Sequence, residues 1–393
     1  MGWRDVLYRA GNQAESHYDL LKLKFRQKMG LLGNVSIVTY ITYCNHKELF
    51  LRGRVMENRD TSDPDKDSMW QNLVHTYRRF NSNEIAGAKL QVTFSNTKQE
   101  LVSDEDGYFE TRLTLTTPLP AEELWHHLVV ELLNAPVPFT PPVVARCKVM
   151  TPPSTAQFGI ISDIDDTILK TNAQSLLKSA YLTFLGNARS RLPFEGVAAF
   201  YTALQKGATN ASYNPIFYVS SSPWNLYDLL IDFMDINKIP EGPLFLKDYG
   251  FSAGKLFSEG HHAHKYKTIS NILNAYPTLP FILVGDSGQK DPEIYAQIAK
   301  NFPGRLLAIY IRDVTVDERD NEVKKISEGL MEGKVEMVFT TDSYSAAEHA
   351  LQKGFIHPSS LPIIKLDKKM DDGVKPTVEE LVEKEIKDKE LEG

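Results

Sequence analysis

Asp163, Asp165, Asp166 and Thr167 stand directly after the mostly apolar run Phe158-Gly159-Ile160-Ile161-Ser162. The run predicts a short buried strand that turns polar abruptly, and an open α/β sheet puts its chemistry just beyond the carboxyl end of such a strand. Asp163 and Asp165 are two residues apart, so an extended or gently turning loop can aim both into one cleft. Their charges then repel unless a cation sits between them.

Four chemistries compete for this stretch. A solvated acidic turn asks nothing of the rest of the chain. A calcium loop of the EF-hand type needs glycine at its sixth position and glutamate at its twelfth, where this chain has Ile168 and Gln174. A carboxylate pair for glycoside hydrolysis usually draws its acids from separate strands or loops. Phosphoryl transfer, with Asp163 attacking phosphorus, Asp165 handling the proton and Mg²⁺ offsetting the phosphoryl charge, is the reading that predicts helpers further along.

Those helpers are present, each after a predicted strand or at the start of a predicted helix. Ser220 follows Ile216-Phe217-Tyr218-Val219, the place for a hydrogen-bond donor, with Ser221 and Ser222 as alternatives. Lys265 opens a predicted helix, with Lys267 as its competitor for the cationic role. Phe281-Ile282-Leu283-Val284 then runs into Gly285-Asp286-Ser287-Gly288-Gln289-Lys290-Asp291, a second strand ending in acid. Asp286 at the strand tip suits a metal ligand. Asp291 suits a residue that steadies the metal site or loop, or a cap for the helix that begins with Pro292. Neither a phosphate-cradling P-loop nor a dinucleotide fingerprint occurs.

This order resembles the haloacid dehalogenase (HAD) superfamily of aspartate-nucleophile phosphatases. The strings Asp163-Ile164-Asp165-Asp166-Thr167, Tyr218-Val219-Ser220-Ser221-Ser222-Pro223-Trp224-Asn225-Leu226 and Gly285 through Tyr295 look more closely like the catalytic domain of the phosphatidate phosphatase family named for a fungal actin-patch protein. The resemblance covers roughly residues 155–315. It implies Mg²⁺-dependent conversion of phosphatidate to diacylglycerol and phosphate. It also implies an aspartyl-phosphate on Asp163 and an acid–base role for Asp165, with Ser220 and Lys265 on the phosphoryl oxygens. The implied metal set is Asp163, Asp165 through its carbonyl, Asp286 and Asp291. Thr167, Ser221, Ser222, Trp224, Lys247 and Arg312 are expected on the substrate side, with Arg189 and Arg191 as further headgroup contacts. A phosphatase for a soluble phosphoester and a lipid-binding scaffold with a phosphatase-like domain stay open. A decayed domain would lack Asp163, Asp165 or Asp286, and all three are present.

Four segments must position these residues. Residues 1–32 carry apolar residues at helical spacing and a basic stretch, Lys22 to Lys28, readable as a membrane-surface patch or as an ordinary amphipathic helix. Residues 33–152 are strand-rich, with runs at Val35–Tyr43, Glu48–Val55, Ala88–Phe94, Glu100–Val102, Tyr108–Leu115, Leu124–Leu132 and Val143–Met150. They predict an antiparallel β-sandwich interrupted by a long polar excursion, Glu57 to Phe80. Residues 153–366 alternate strand and helix, including a helix opened by Pro223, as an α/β, HAD-like Rossmannoid catalytic domain with a parallel sheet requires. The insertion Thr171 to Arg191 reads as a small apolar cap over the site or as a helix packed on the sheet. Residues 367–393 form a charged tail.

Composition narrows the class. Hydrophobic residues make up 42% of the 393 positions, enough for a substantial core, and the net charge of −7 argues against nucleic acid as the partner. Two cysteines, Cys44 and Cys147, fit a reducing compartment. With no long apolar run and no leader-like amino terminus, the expected setting is soluble and cytoplasmic, with peripheral contact to a membrane as an option. His261, His262 and His264 lack an identifiable distant zinc ligand and are read as shaping a helix start. Nothing in the sequence sets an oligomeric state.

Overall fold

Alternating apolar and polar residues make half-buried strands, and the first half of the chain is built from them. The computed structural model describes residues 34–58, 84–120, 122–164, 196–211, 213–247, 261–313, 326–330 and 335–371. Its first strands are β1 (Asn34–Thr39), β2 (Thr42–Cys44), β3 (Glu48–Asn58), β4 (Lys89–Phe94), β5 (Thr97–Val102), β6 (Tyr108–Thr114), β7 (Trp125–Asn134) and β8 (Val144–Met150). They join in one eight-stranded sheet in the order β1-β3-β2-β8-β7-β4-β5, with β6 also on β3. β5, at one end of the path, and β6, which branches from β3, come side by side, so the sheet curls around a core of Leu49, Leu51, Val92, Phe109, Leu128 and Val149.

The expectation of an antiparallel sandwich needs correction at one place. Every pairing is antiparallel except β2 with β8, which run parallel. The cause is a break at Tyr40–Ile41 inside what the sequence presents as one uniform strand. Tyr40 turns into the core of the following region, and the Ile41 N–H donates to the Tyr227 hydroxyl at 2.8 Å instead of to a neighbouring strand. The excursion expected from Glu57 to Phe80 lies largely outside the described residues, although β3 extends through Asn58.

The second half forms a six-stranded sheet from β9 (Gly159–Asp163), β10 (Ile216–Pro223), β11 (Leu244–Lys247), β12 (Phe281–Asp286), β13 (Leu306–Arg312) and β14 (Glu336–Thr340). The order is β11-β10-β9-β12-β13-β14 and every pairing is parallel. A parallel sheet needs both faces covered. One face packs through Ile160, Tyr218, Ile282 and Tyr310 against the helices α1 (Val197–Lys206), α2 (Tyr227–Ile236), α5 (Ser343–Gln352) and α6 (Ser360–Asp371). The other packs through Ile161, Phe217, Leu283 and Ile309 against α3 (His261–Ala275) and α4 (Asp291–Asn301). The architecture is thus mixed α/β, with one parallel and one mixed sheet. Strand order reverses beside β9, which opens a crevice at the carboxyl ends of β9 and β12.

Two boundaries move. Pro223 closes β10 instead of opening a helix; a 3₁₀ turn, Trp224–Leu226, intervenes before α2. The charged tail expected from residue 367 begins inside α6, whose Lys368 bonds Asp342 at 2.6 Å. The amino-terminal segment 1–32, the insertion at Thr171 to Arg191 and residues 372–393 lie outside the described residues. No helix among the described residues is long and apolar enough to cross a membrane.

The curled sheet docks on the parallel one through aromatic residues. Tyr43 of β2 stacks on Phe50 at 4.5 Å and meets Phe217 edge-on at 5.7 Å. The Tyr276 hydroxyl donates to the Cys44 carbonyl at 3.1 Å, and Asn45 Nδ2 donates to the Ala275 carbonyl at 3.0 Å. Such ring pairs contribute about 0.5–1.5 kcal/mol each beyond area burial. The Lys148–Glu241 ion pair at the rim, roughly half exposed on both sides, contributes at most about 1 kcal/mol.

Candidate active site

β9 delivers Asp163 to the crevice because its alternating residues are claimed by the two cores, leaving the last one at the tip. β12 delivers Asp286 in the same way: Ser162 lies opposite Val284 in the ladder, so both strand tips come level. Asp291, at the start of α4, folds back toward β12, its Oδ2 accepting the Asp286 N–H at 3.3 Å. Gly285 makes this approach possible, since a side chain there would run into the Asp291 carboxylate and the Tyr295 ring. Ligand oxygens of Asp163, Asp286 and Asp291 lie within 4.8 Å of one another, all three residues being buried. No histidine joins this group among the described residues.

Lys265 is the cation of the cluster. Its Nζ lies 2.8 Å from Asp163 Oδ1 and 2.7 Å from Asp291 Oδ1, and donates to Gln289 Oε1 at 3.0 Å. Lys267, two residues further along α3, faces outward and is exposed, so helical geometry decides between the two lysines. Burial alone would lower the Lys265 pKa, but Asp163 and Asp291 more than reverse it and hold it above the ordinary range. Asp163 is pushed well above the usual carboxylate range, first by burial and next by the charge of Asp291, with Lys265 opposing both. Neither Asp163 oxygen receives a hydrogen bond of good geometry among the described residues, the Lys265 contact being an ion pair. Among the described residues, three buried carboxylates gather beside Lys265 in low dielectric, a donor set that suits a divalent cation.

The other sites expected from sequence fall as follows. Ser220 is fully buried in β10, its Oγ accepting the Ser222 N–H at 3.0 Å, and Ser221 and Ser222 are buried beside it. Val219, its predecessor, lies opposite Asp163 in the ladder, so the serine and the acid occupy adjacent strand tips. Trp224 is buried in the 3₁₀ turn that follows. Lys247 is buried at the tip of β11, opposite Pro223, and Arg312 ends β13 opposite Asp286. Asp165, Thr167, Arg189 and Arg191 lie outside the described residues.

Three participants were not singled out by the sequence reading. Gln289 bonds Lys265; its signal was available, since it lies within the Gly285–Asp291 loop. Ser162 and Tyr201 form a buried hydroxyl chain beneath Asp163: Ser162 Oγ donates to the Asp163 carbonyl at 2.9 Å and lies 2.6 Å from the Tyr201 hydroxyl. Ser162 has spent its one proton, so Tyr201 is the donor of the second bond. Nothing in the local sequence of α1 marks Tyr201 for this.

The sequence around these residues has counterparts among known proteins. Residues 158–313 match the family model described as "Phosphatidate phosphatase APP1, catalytic domain". Phosphatidate phosphatase APP1 of Saccharomyces cerevisiae is 36% identical over 193 residues, covering 47% of this chain and 32% of that protein. An uncharacterized protein of Schizosaccharomyces pombe is 30% identical over 160 residues, covering 40% of this chain and 26% of that one. The alignments thus span about a third or less of the length of these curated relatives. Among solved structures, a carbohydrate acetylesterase from Xanthomonas citri aligns at 10% identity with a TM-score of 0.25, over 74% of this chain and 72% of that one. A likeness at that level carries no argument.

Proposed function

We propose, from the match of residues 158–313 to the family model described as the phosphatidate phosphatase APP1 catalytic domain, that this chain is a Mg²⁺-dependent phosphomonoester hydrolase acting on phosphatidate. The observation that carries the reading is the meeting of Asp163, Lys265, Asp286 and Asp291 at two adjacent strand tips. The fold we assign to the parallel-sheet region is HAD-like, residues 153–366 forming the catalytic unit and 33–152 the curled sheet in front of it. The setting that goes with it is cytoplasmic, with peripheral contact to a lipid surface.

Asp163 Oδ attacks phosphorus as the P–O bond to the leaving group breaks, giving an aspartyl-phosphate and an alkoxide that takes a proton from Asp165. Asp165 then removes a proton from water, the hydroxide attacks phosphorus, and phosphate leaves with Asp163 restored. Lys265 holds the attacking carboxylate in place through its paired contacts, and Ser220 with Lys265 donates to the phosphoryl oxygens. Asp163, Asp286 and Asp291, with the Asp165 carbonyl, would hold Mg²⁺; when bound, it supplies positive charge opposite the phosphoryl oxygens.

Phosphate release is the test, measured with and without Mg²⁺ on vesicles containing phosphatidate and on a panel of soluble phosphomonoesters, for the protein and its Asp163→Asn variant. The expected result is release from vesicles that needs Mg²⁺ and vanishes in the variant. Release only from soluble esters would keep the mechanism and remove the lipid substrate. Release that survives Asp163→Asn would remove the nucleophile.

A further inference from the structure

We propose that the curled sheet takes part in the reaction as a brace: Arg52 of β3 and Tyr40 hold Trp224, and through it fix where Ser220 meets the phosphoryl group. The consequence for catalysis rests on the reading above, in which Ser220 donates to that group.

The need for a brace is visible in β10. Its ladder with β11 is regular at Tyr218 and Val219 and then shifts register before Pro223, so Ser220, Ser221 and Ser222 sit where the regular pairing gives way. Pairing resumes at Pro223, opposite Lys247, and the residue that closes the irregular stretch is Trp224, which meets the other sheet through two of its neighbours. The Tyr40 ring lies 4.4 Å from the indole, centroid to centroid, and the Arg52 guanidinium lies 4.8 Å over its face. Tyr227 stacks on it at 6.0 Å and is itself tied to the curled sheet, its hydroxyl accepting the Ile41 N–H. Arg52 is pinned in turn, 4.7 Å over the Tyr108 ring with Nη1 3.4 Å from Glu110 Oε2.

Among the described residues the indole is held by packing against its faces. Trp224 Nε1 is buried and finds no acceptor among the described residues, so no hydrogen bond fixes the tryptophan in place of the stack. A planar guanidinium suits a place over an aromatic ring better than a lysine ammonium does. Arg52 is therefore a positioning residue. Its guanidinium lies over the Trp224 face, and it acts through Trp224.

The test uses the full chain and two readouts. The first is amide hydrogen exchange in Arg52→Ala. Exchange over residues 220–226 is expected to rise while that of 281–286 in β12 stays unchanged. Arg52→Lys should reproduce most of the rise. Arg112→Ala, which removes another guanidinium over a ring of the same sheet, Phe50 at 5.0 Å, should not. The second readout is kinetic. Arg52→Ala should lower kcat/KM about tenfold, in keeping with the cost of misplacing a catalytic group by a fraction of an ångström. In a Ser220→Ala background the same change should cost nothing further, because the group it positions is gone. Unchanged exchange at 220–226 overturns the brace, and losses that multiply across the double variant overturn its action through Ser220. If the unaltered protein releases phosphate from no substrate, the functional reading has failed, and the exchange result still decides whether the brace exists.

Discussion

Two clusters in this molecule bring carboxylates to cations, and they move those carboxyl groups in opposite directions. In the crevice, burial and the charge of Asp291 hold Asp163 well above the usual carboxylate range in spite of Lys265. At the β14 edge of the parallel sheet, hydrogen bonds from Lys353 and His349 hold Glu336 below it, and Asp342, which burial alone would raise, is lowered by Lys368 and the Ser345 N–H. Both set acids against basic side chains. What differs is water: Glu336 is 45% exposed beside Lys353 and His349, whereas in the crevice the buried Asp163 and Asp291 share Lys265 with the buried Asp286 alongside. Charges at the edge are satisfied by the fold itself. Those in the crevice gather within ligand distance of one another, the pattern expected of a functional site.

The comparison can be broken most decisively at Asp163. Its raised pKa means that its contribution to stability is fully present at low pH and is lost as pH rises through the folded value. Asp163→Asn, which leaves Lys265 its partner Asp291, should lower phosphate release by at least about a thousandfold. In the presence of a chelator, the same variant should unfold in urea at a midpoint no lower than the unaltered protein at neutral pH. Any gain should close as pH falls toward about 4, where the unfolded carboxylate is protonated. A lower midpoint at neutral pH would place the crevice with the edge.

A smaller effect probes what lies under the same carboxylate. Tyr201→Phe removes the proton donated to Ser162 and frees the Asp163 carbonyl to shift. We expect kcat to fall about tenfold, equivalent to about 1.4 kcal/mol, with KM little changed. A change in KM alone would deny the tyrosine its positioning role.

The smallest effect belongs to the edge and appears in stability alone. Asp342 caps α5 through the Ser345 N–H at 2.8 Å and pairs with Lys368. Asp342→Ala should cost about 1 kcal/mol at neutral pH, read from urea unfolding, and leave kcat unchanged. Because the folded pKa is lowered, that stabilisation is present above the unfolded value near 3.9 and disappears as pH falls through the folded one. A loss of activity in this variant would erase the distinction between the two clusters.

The crevice was legible in sequence because an open sheet makes its chemistry local to strand tips. An apolar run ending in Asp163, another ending before Ser220 and a third ending in Asp286 announce their positions without knowledge of the neighbours. Lys265 was separable from Lys267 only once the helix direction was known. Ser162 and Tyr201 were hidden because their bond joins β9 to α1 and depends on how the helix lies on the sheet. The break at Tyr40–Ile41 was hidden for the opposite reason: the local pattern is a good strand, and the competing partner, Tyr227, stands far along the chain. Pro223 was misread because a proline suits the first turn of a helix as well as the last residue of a strand leaving its ladder.

The place of β9 in the middle of its sheet also fixes when the site can exist. Synthesis proceeds from the amino terminus, and β9 emerges with neither flanking strand yet made; β10 follows some fifty residues later, and β12 with Asp286 more than a hundred. During that interval the strand that carries Asp163 has two unpaired edges and no lysine to accompany its carboxylate. The curled sheet, whose strands are all made before β9, is the part of the molecule available to shelter it.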